Sequence, residues 1–512
     1  MELASRLASA LALSLLLAAC GGSGGSVAPN LSPSKTPNTE TPNSGWVSGQ
    51  YKSSRSFANR CINPRSNNNY QDFVGTYVDE NNWLRSWSNE TYLWYNELPD
   101  IDPASVTNPA EYFNLMKTSA TTSNGLPKDR FHYANNTEEF NQYTESGISA
   151  GYGFEYILIQ NTSSRKAIII YSEPNSPAAN NNIKRGAEII SIDGAAFANG
   201  NADILNAGLM PAKLGEYHTF VIKDLNATST RTIVLQSSEI VTVPVHTRKI
   251  IEHSDKKIGY LALNTFLVAS AEKQLIDSMN YLKDNEIDEL VLDLRYNGGG
   301  RITLSADLGT MIAGSSALGS VFTELIHNDK LSSHNLTFNF SSTSSSALTV
   351  DRGTKLPKLD LPRVYILSSI NTASASEYLI NGLRGIDFEV ILIGTSTHGK
   401  PYGWQATENC GTTYSTIQFK GENAKGFSGF VYGFIPSVAD NGAENVRGCM
   451  VLDDLSHQLG DRDEFMLATA LHYIENGSCP TNIVQSNSKP RHPLSAVRGE
   501  VIRPYPTGLI LQ

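Results

Sequence analysis

From about residue 240 the chain alternates short apolar strands with amphipathic helices, and no other feature constrains its fold as strongly. KKIGYLAL is followed by a helical pattern through AEKQLIDSMNYLKDN, then by the strand DELVLDL, the run RYNGGG and another helix. RVYILSSI precedes NTASASEYLI, a further helix and the strand EVILIG. Strands separated by helices cannot pair through tight hairpins, so a largely parallel sheet covered by helices is expected. In such sheets the loops leaving the carboxyl ends of the strands gather along one edge, where ligands bind. Three loops meet that description: 297–300 after DELVLDL, 372–377 after RVYILSSI, and 396–403 after EVILIG.

Each loop carries one component of an acyl-transfer site. Glycines let the backbone turn so that an N–H of Gly298 or Gly299 can face a developing oxyanion. Ser374 stands at a helix start with the positive end of the helix dipole beside it, and the Ala375 N–H follows directly. Lys400 can accept a hydroxyl proton only if burial lowers its pKa by several units from about 10.4; an arginine could not do so at all. Competing readings stand beside these. Ser374 and Glu377 are spaced as a capping box, so the serine is either a cap or a nucleophile. His398 rivals Lys400, because serine with histidine is the commoner pair. Ser396 lies in GTSTHG, which has one residue too many for a GxSxG elbow. Ser376 reads as structural, and RYNGGG lacks the GK[ST] ending of a phosphate loop.

Upstream the texture differs. Residues 51–145 read as a mostly helical domain, whose NNWLRSWSNETYLWYNELPD supplies aromatic residues to a core rather than to a peptide-binding surface. Residues 146–240 read as short alternating strands. There GYGF before a strand, with GAEIISIDG further on, resembles a PDZ domain. That resemblance implies that backbone N–H groups of Tyr152, Gly153 and Phe154 cradle a peptide's terminal carboxylate while the adjoining strand edge pairs with the peptide. A tight turn between two strands is the plainer alternative.

The chain opens with Arg6, an apolar run ALALSLLLAA and Cys20, a run too short to span a bilayer as a helix. Leu17-Ala18-Ala19-Cys20 resembles the bacterial lipobox, which implies a signal peptide over 1–20 and an acylated Cys20. Gly21 after it implies an outer-membrane address facing the periplasm. Residues 21–50 offer almost nothing to bury and should form a flexible tether of roughly 30 Å root-mean-square reach. A formal net charge of −10 argues against nucleic acid as a partner. No cysteine or histidine spacing suggests a metal site, and no cofactor is expected. Four cysteines remain after Cys20, and in an exported protein they suggest two disulfides, with Cys410–Cys449 and Cys61–Cys479 the favoured pairing.

Together, Ala373-Ser374-Ala375-Ser376-Glu377, Gly399-Lys400, the upstream RYNGGG, the PDZ-like stretch, NNWLRSW and KDRF resemble the C-terminal processing (tail-specific) serine peptidases. The resemblance spans roughly residues 75–480 in order. It implies an α/β multidomain protein: a helical region at 51–145, a PDZ-like β-rich domain at 146–240, a ClpP/crotonase-like peptidase core at 241–480, and a tail at 481–512. It also implies Ser374 as nucleophile, Lys400 as base, and oxyanion donors from Ala375 and from Gly298 or Gly299. The family often carries a glutamine four residues past the lysine to orient it; here Trp404 holds that place and Gln405 follows. The function so implied is a lipid-anchored endopeptidase acting on polypeptides with free C-termini. A catalytically silent PDZ lipoprotein that holds peptide tails is the alternative from another class, and an esterase using Ser374 is a third.

Overall fold

The computed structural model describes residues 45–66, 70–160, 164–439, 442–481 and 500–502. The expected leader, Cys20, nearly all of the tether and most of the C-terminal tail lie outside the described residues. The chain is a mixed α/β protein. Its main sheet has seven strands in the order Val245–His253, Lys256–Leu263, Glu289–Asp293, Arg363–Ser368, Glu389–Gly394, Asn445–Met450, Ile435–Ser437. The first pair is antiparallel and every later pair is parallel. Both faces are covered, which is why the strands are near-continuous apolar runs. Leu290, Leu292, Val364, Ile366 and Leu392 face the helices Ala271–Asp284, Ile302–Ala313 and Ala375–Gly385. Val291, Tyr365, Leu367, Ile391 and Ile393 face Phe465–Asn476. Glu289–Asp293, Arg363–Ser368 and Glu389–Gly394 are neighbours, so the three loops that follow them emerge side by side.

Between 148 and 241 a second, antiparallel sheet runs Arg231–Gln236, Tyr217–Lys223, Glu188–Ile192, Arg165–Ser172, Phe154–Gln160, and is extended by Glu500–Ile502. It has its own core around Phe154, Ile169, Ile189, Phe197 and Phe220. The two sheets meet at Arg185, a fully buried guanidinium. It donates to Asp453 Oδ1 at 2.8 Å, to the hydroxyl of Tyr296 at 2.6 Å and to the carbonyl of His457 at 2.9 Å.

The region 51–145 is less helical than its composition suggests. Helices cover Tyr77–Thr91, Pro109–Leu115 and Thr137–Asn141, and the strand Tyr133–Asn136 joins Thr412–Ser415 of the core. Trp83 and Trp87 stack 5.2 Å apart and are buried with Phe113 and Tyr414, so these aromatics are core. The disulfides are Cys61–Cys410 and Cys449–Cys479, not the pairing favoured from sequence. Cys61 lies beside the loop of Cys410, where Asn59 N–H donates to Asn409 Oδ1 at 2.9 Å. Cys449 sits in the main sheet, and the helix Phe465–Asn476 crosses that face and delivers Cys479 to it. Three-dimensional neighbours of this kind cannot be read from cysteine spacing.

Candidate active site

Ser374 begins the helix Ala375–Gly385 with φ +54° and ψ −117°, a conformation that few non-glycine residues adopt. The capping box expected from the sequence is present with Glu377, whose Oε2 accepts the Ser374 N–H at 2.9 Å. The other half of the box, from the Glu377 N–H to the serine side chain, is present but looser than an ordinary hydrogen bond. Strain of this sort costs about 1–3 kcal/mol and persists only where the surroundings enforce it.

Those surroundings are the glycine loop. Ala373 N–H donates to Asn297 O at 3.0 Å, and the hydroxyl of the buried Ser376 donates to the same oxygen at 3.1 Å. Gly299, at φ +101°, lies so close that a Cβ there would meet Ser374 Cβ at 2.7 Å and Ala375 N at 2.9 Å. Only glycine permits this approach. Gly299 N–H donates to Asn297 Oδ1 at 2.9 Å, which corrects its expected role: in this conformation it is a spacer and not an open donor. The N–H groups of Gly298 and of Ala375, the first helical residue, make no hydrogen bond among the described residues.

Glu377 joins the loops. It is fully buried and accepts Thr397 Oγ1 at 2.6 Å and Gly399 N–H at 2.7 Å on Oε1, and Lys400 N–H at 2.8 Å on Oε2. One carboxylate oxygen therefore holds the backbones of both Ser374 and Lys400. Burial pushes the Glu377 carboxyl above the usual range, against the four hydrogen bonds that favour its charge.

Lys400 is 7% exposed. Burial lowers its pKa to about 7, and Asp129 and Glu377 pull only weakly the other way. Its Nζ lies 3.4 Å from the centroid of the Trp404 ring and 5.1 Å from that of Phe131. Trp404 packs edge-on against Tyr133, and Arg130 donates to the carbonyls of His398 and Gly399 at 3.3 and 3.4 Å. Segment 129–133 thus places Phe131 by the amine, Tyr133 behind Trp404 and Arg130 on the lysine loop. Gln405 does not orient the lysine through the contacts described: its backbone exchanges hydrogen bonds at 3.2 Å with the side chain of Gln418. Trp404 stands where a glutamine was expected.

His398 donates its own N–H to Thr372 O at 2.9 Å and places Nδ1 3.2 Å from Ile370 O. Burial, Arg130 and Lys400 lower its pKa to about 4, so it is neutral and poorly basic near neutrality. Chemically, a buried amine that is neutral near pH 7 can take a hydroxyl proton, and two open N–H groups can receive negative charge. Sequence reasoning missed Glu377 as a connector, and Arg130, Phe131 and Trp404 as walls. Glu377 was visible only as a capping partner, and Arg130 and Phe131 only as part of KDRF.

At the other sheet, Tyr152 and Phe154 bury their rings in its core, while Gly153 adopts φ +80°. A Cβ on Gly153 would meet Ser176 Cβ at 2.2 Å. The hydroxyl of Tyr152 is buried without a partner among the described residues.

Two stretches of the chain match known family models. Residues 257–422 match the model of peptidase family S41, and residues 79–133 match the peptidase S41 N-terminal domain. A carboxyl-terminal-processing protease from Picosynechococcus sp. is 29% identical over 238 residues, 45% of this chain and 50% of that protein. The matched stretch spans half of that relative's length. Among solved structures, a provisionally assigned S41 protease from Bacteroides fragilis superimposes with a TM-score of 0.58 at 23% identity, over 81% of this chain and 100% of that one. The photosystem II D1 C-terminal processing protease gives a TM-score of 0.41 at 16% identity, over 71% and 94% of the two chains.

Proposed function

We propose that the protein is a serine endopeptidase in which Ser374 is the nucleophile and neutral Lys400 its general base. The observation that carries this reading is Glu377 Oε2, which holds the Ser374 and Lys400 N–H groups together while the lysine's own ammonium end is left among aromatic rings. A helix cap needs neither a buried lysine nor a glycine loop pressed against it. In the reaction, Lys400 accepts the hydroxyl proton as Ser374 Oγ bonds to the scissile carbonyl carbon. The carbonyl oxygen takes up the charge, facing the N–H groups of Ala375 and Gly298. The proton then passes from the lysine to the leaving amine, and water releases the acyl group by the same route in reverse. His398 takes no part.

The sheet around Phe154–Gln160 is the PDZ-like module of this reading, and the main sheet its ClpP/crotonase-like core. The turn at Gly153 directs backbone N–H groups of 152–154 toward a substrate's terminal carboxylate, and the adjoining strand edge receives the tail. Cys20 supplies a lipid anchor in the bacterial envelope. The test is cleavage of an unfolded polypeptide with a free C-terminus, compared with the same polypeptide whose C-terminus is amidated and with a small ester. Cleavage that is lost in Ser374→Ala and reduced by amidation supports the reading. Ester turnover alone makes the protein an esterase, and tail binding without cleavage makes it a silent binder.

A further inference from the structure

The strand Glu500–Ile502 lies antiparallel along Phe154–Gln160, with Glu500 opposite Leu158, Val501 opposite Ile157 and Ile502 opposite Tyr156. Arg165–Ser172 occupies the other edge of Phe154–Gln160. The edge taken by 500–502 is therefore the one that an added peptide strand must use. From Glu500 to Ile502 the segment runs toward the 151–154 loop, the direction a polypeptide follows when its terminal carboxylate approaches that loop. Two contacts tie the segment to the candidate active site as well. Val501 N–H donates to Asn371 Oδ1 at 2.9 Å, three residues before Ser374. The Val501 side chain packs in the seam formed by Ile157, Tyr171, Leu455 and Tyr296, the residue just before Asn297 of the glycine loop.

We infer that Glu500–Ile502 is a built-in competitor for the peptide edge, which must withdraw before an extended polypeptide can pair with Phe154–Gln160. A three-residue strand binds weakly by itself. Tethering gives it an effective concentration of about millimolar, enough to exclude a free peptide present at micromolar level. The ligand class that displaces it is an extended chain with an apolar residue at the place of Val501. The inference rests on the reading of this edge as the peptide site and deepens it.

The test uses the full chain carrying Ser374→Ala, so that peptide is bound but not consumed. A fluorescent synthetic peptide of residues 497–506, VRGEVIRPYP, is titrated by anisotropy. Adding Val501→Asp puts a carboxylate in the apolar seam and should tighten peptide binding at least tenfold. Should that variant fail to fold, Val501→Ala should tighten it severalfold. Equal binding with and without the change, or a lowered melting temperature with no gain in binding, makes the segment a structural strand and overturns the inference. With Ser374 intact, Val501→Asp should lower KM for a tailed polypeptide. Because the binding arm needs no turnover, tighter binding in a chain that cleaves nothing removes the peptidase and keeps the competitor, whereas normal cleavage with unchanged binding removes only the competitor.

Discussion

Arg295 and Lys400 are both buried basic side chains, and their fates are opposite. Arg295 donates to Asp293 Oδ1 at 2.9 Å, to Asp453 Oδ1 at 2.8 Å and to both oxygens of Glu464 at 2.8 and 2.9 Å. Those carboxylates outweigh its burial and hold its pKa well above the ordinary value. Glu464 in turn caps the helix Phe465–Asn476, so the charge cluster ties strand, loop and helix together. Lys400 is also buried but makes no ion pair among the described residues, and its pKa falls to about 7. Burial with counter-ions holds a proton on a cation; burial among rings favours its release.

The largest expected effect breaks the Lys400 side of this contrast. Lys400→Arg keeps the charge but cannot release its proton, so turnover of a tailed polypeptide should fall by about a thousandfold or more, as it should for Ser374→Ala. Turnover within tenfold of wild type in the arginine variant would mean that the lysine is a clamp.

Next comes the ion-paired side chain. Arg295→Met takes the guanidinium from Asp293 and Glu464 and leaves Asp453 with Arg185 as its remaining cation, and denaturant unfolding should show a loss of about 3–5 kcal/mol. The same substitution at the other cation should act in the opposite sense. Lys400→Met removes an amine that the fold disfavours charging and should raise stability by about 1–3 kcal/mol. The folded pKa lies below the unfolded one, so the unfolded chain binds more protons between about 7 and the free-lysine value of about 10.4. Wild-type stability should therefore rise with pH across that window, and the gain from Lys400→Met, greatest at pH 7 and below, should fade above it.

Smaller still is the relief of backbone strain. Ser374→Gly should remove a cost of about 1–3 kcal/mol at φ +54°, less about 0.5–1 kcal/mol for glycine's extra freedom when unfolded. A net gain of about 1 kcal/mol in an inactive variant is expected by thermal unfolding. A loss would show the serine to be a stabilising cap. The smallest effect belongs to His398→Ala, which should leave the pH profile unmoved, since its imidazole titrates at about 4.

Arg295 and Lys400 were not equally legible in the sequence. The parallel sheet and its three loops followed from strand–helix alternation, because a period change of that kind leaves few topologies open. Ser374, Lys400, Ala375 and Gly298 stood in those loops and are brought to one edge. Gly299 was misread, since a side-chain acceptor such as Asn297 Oδ1 leaves no mark in the pattern. The enclosure of Lys400 was hidden for a different reason. Phe131 and Arg130 lie some 270 residues upstream, beside the strand Tyr133–Asn136 that pairs with Thr412–Ser415, and Arg130 bonds to the lysine loop. Tertiary packing also decided the disulfides, through the helix Phe465–Asn476 for Cys479, and local spacing carries no information on it.

The central claim is that Lys400, neutral near pH 7, activates Ser374. It is tested most directly by the pH dependence of acylation by a serine-directed probe, with the labelled peptide mapped by mass spectrometry. The account predicts label on Ser374, a rate that climbs with pH through a limb near 7, and loss of labelling in Lys400→Arg with the limb intact in His398→Ala. Label on Ser396, or a limb that survives Lys400→Arg and disappears in His398→Ala, would contradict it.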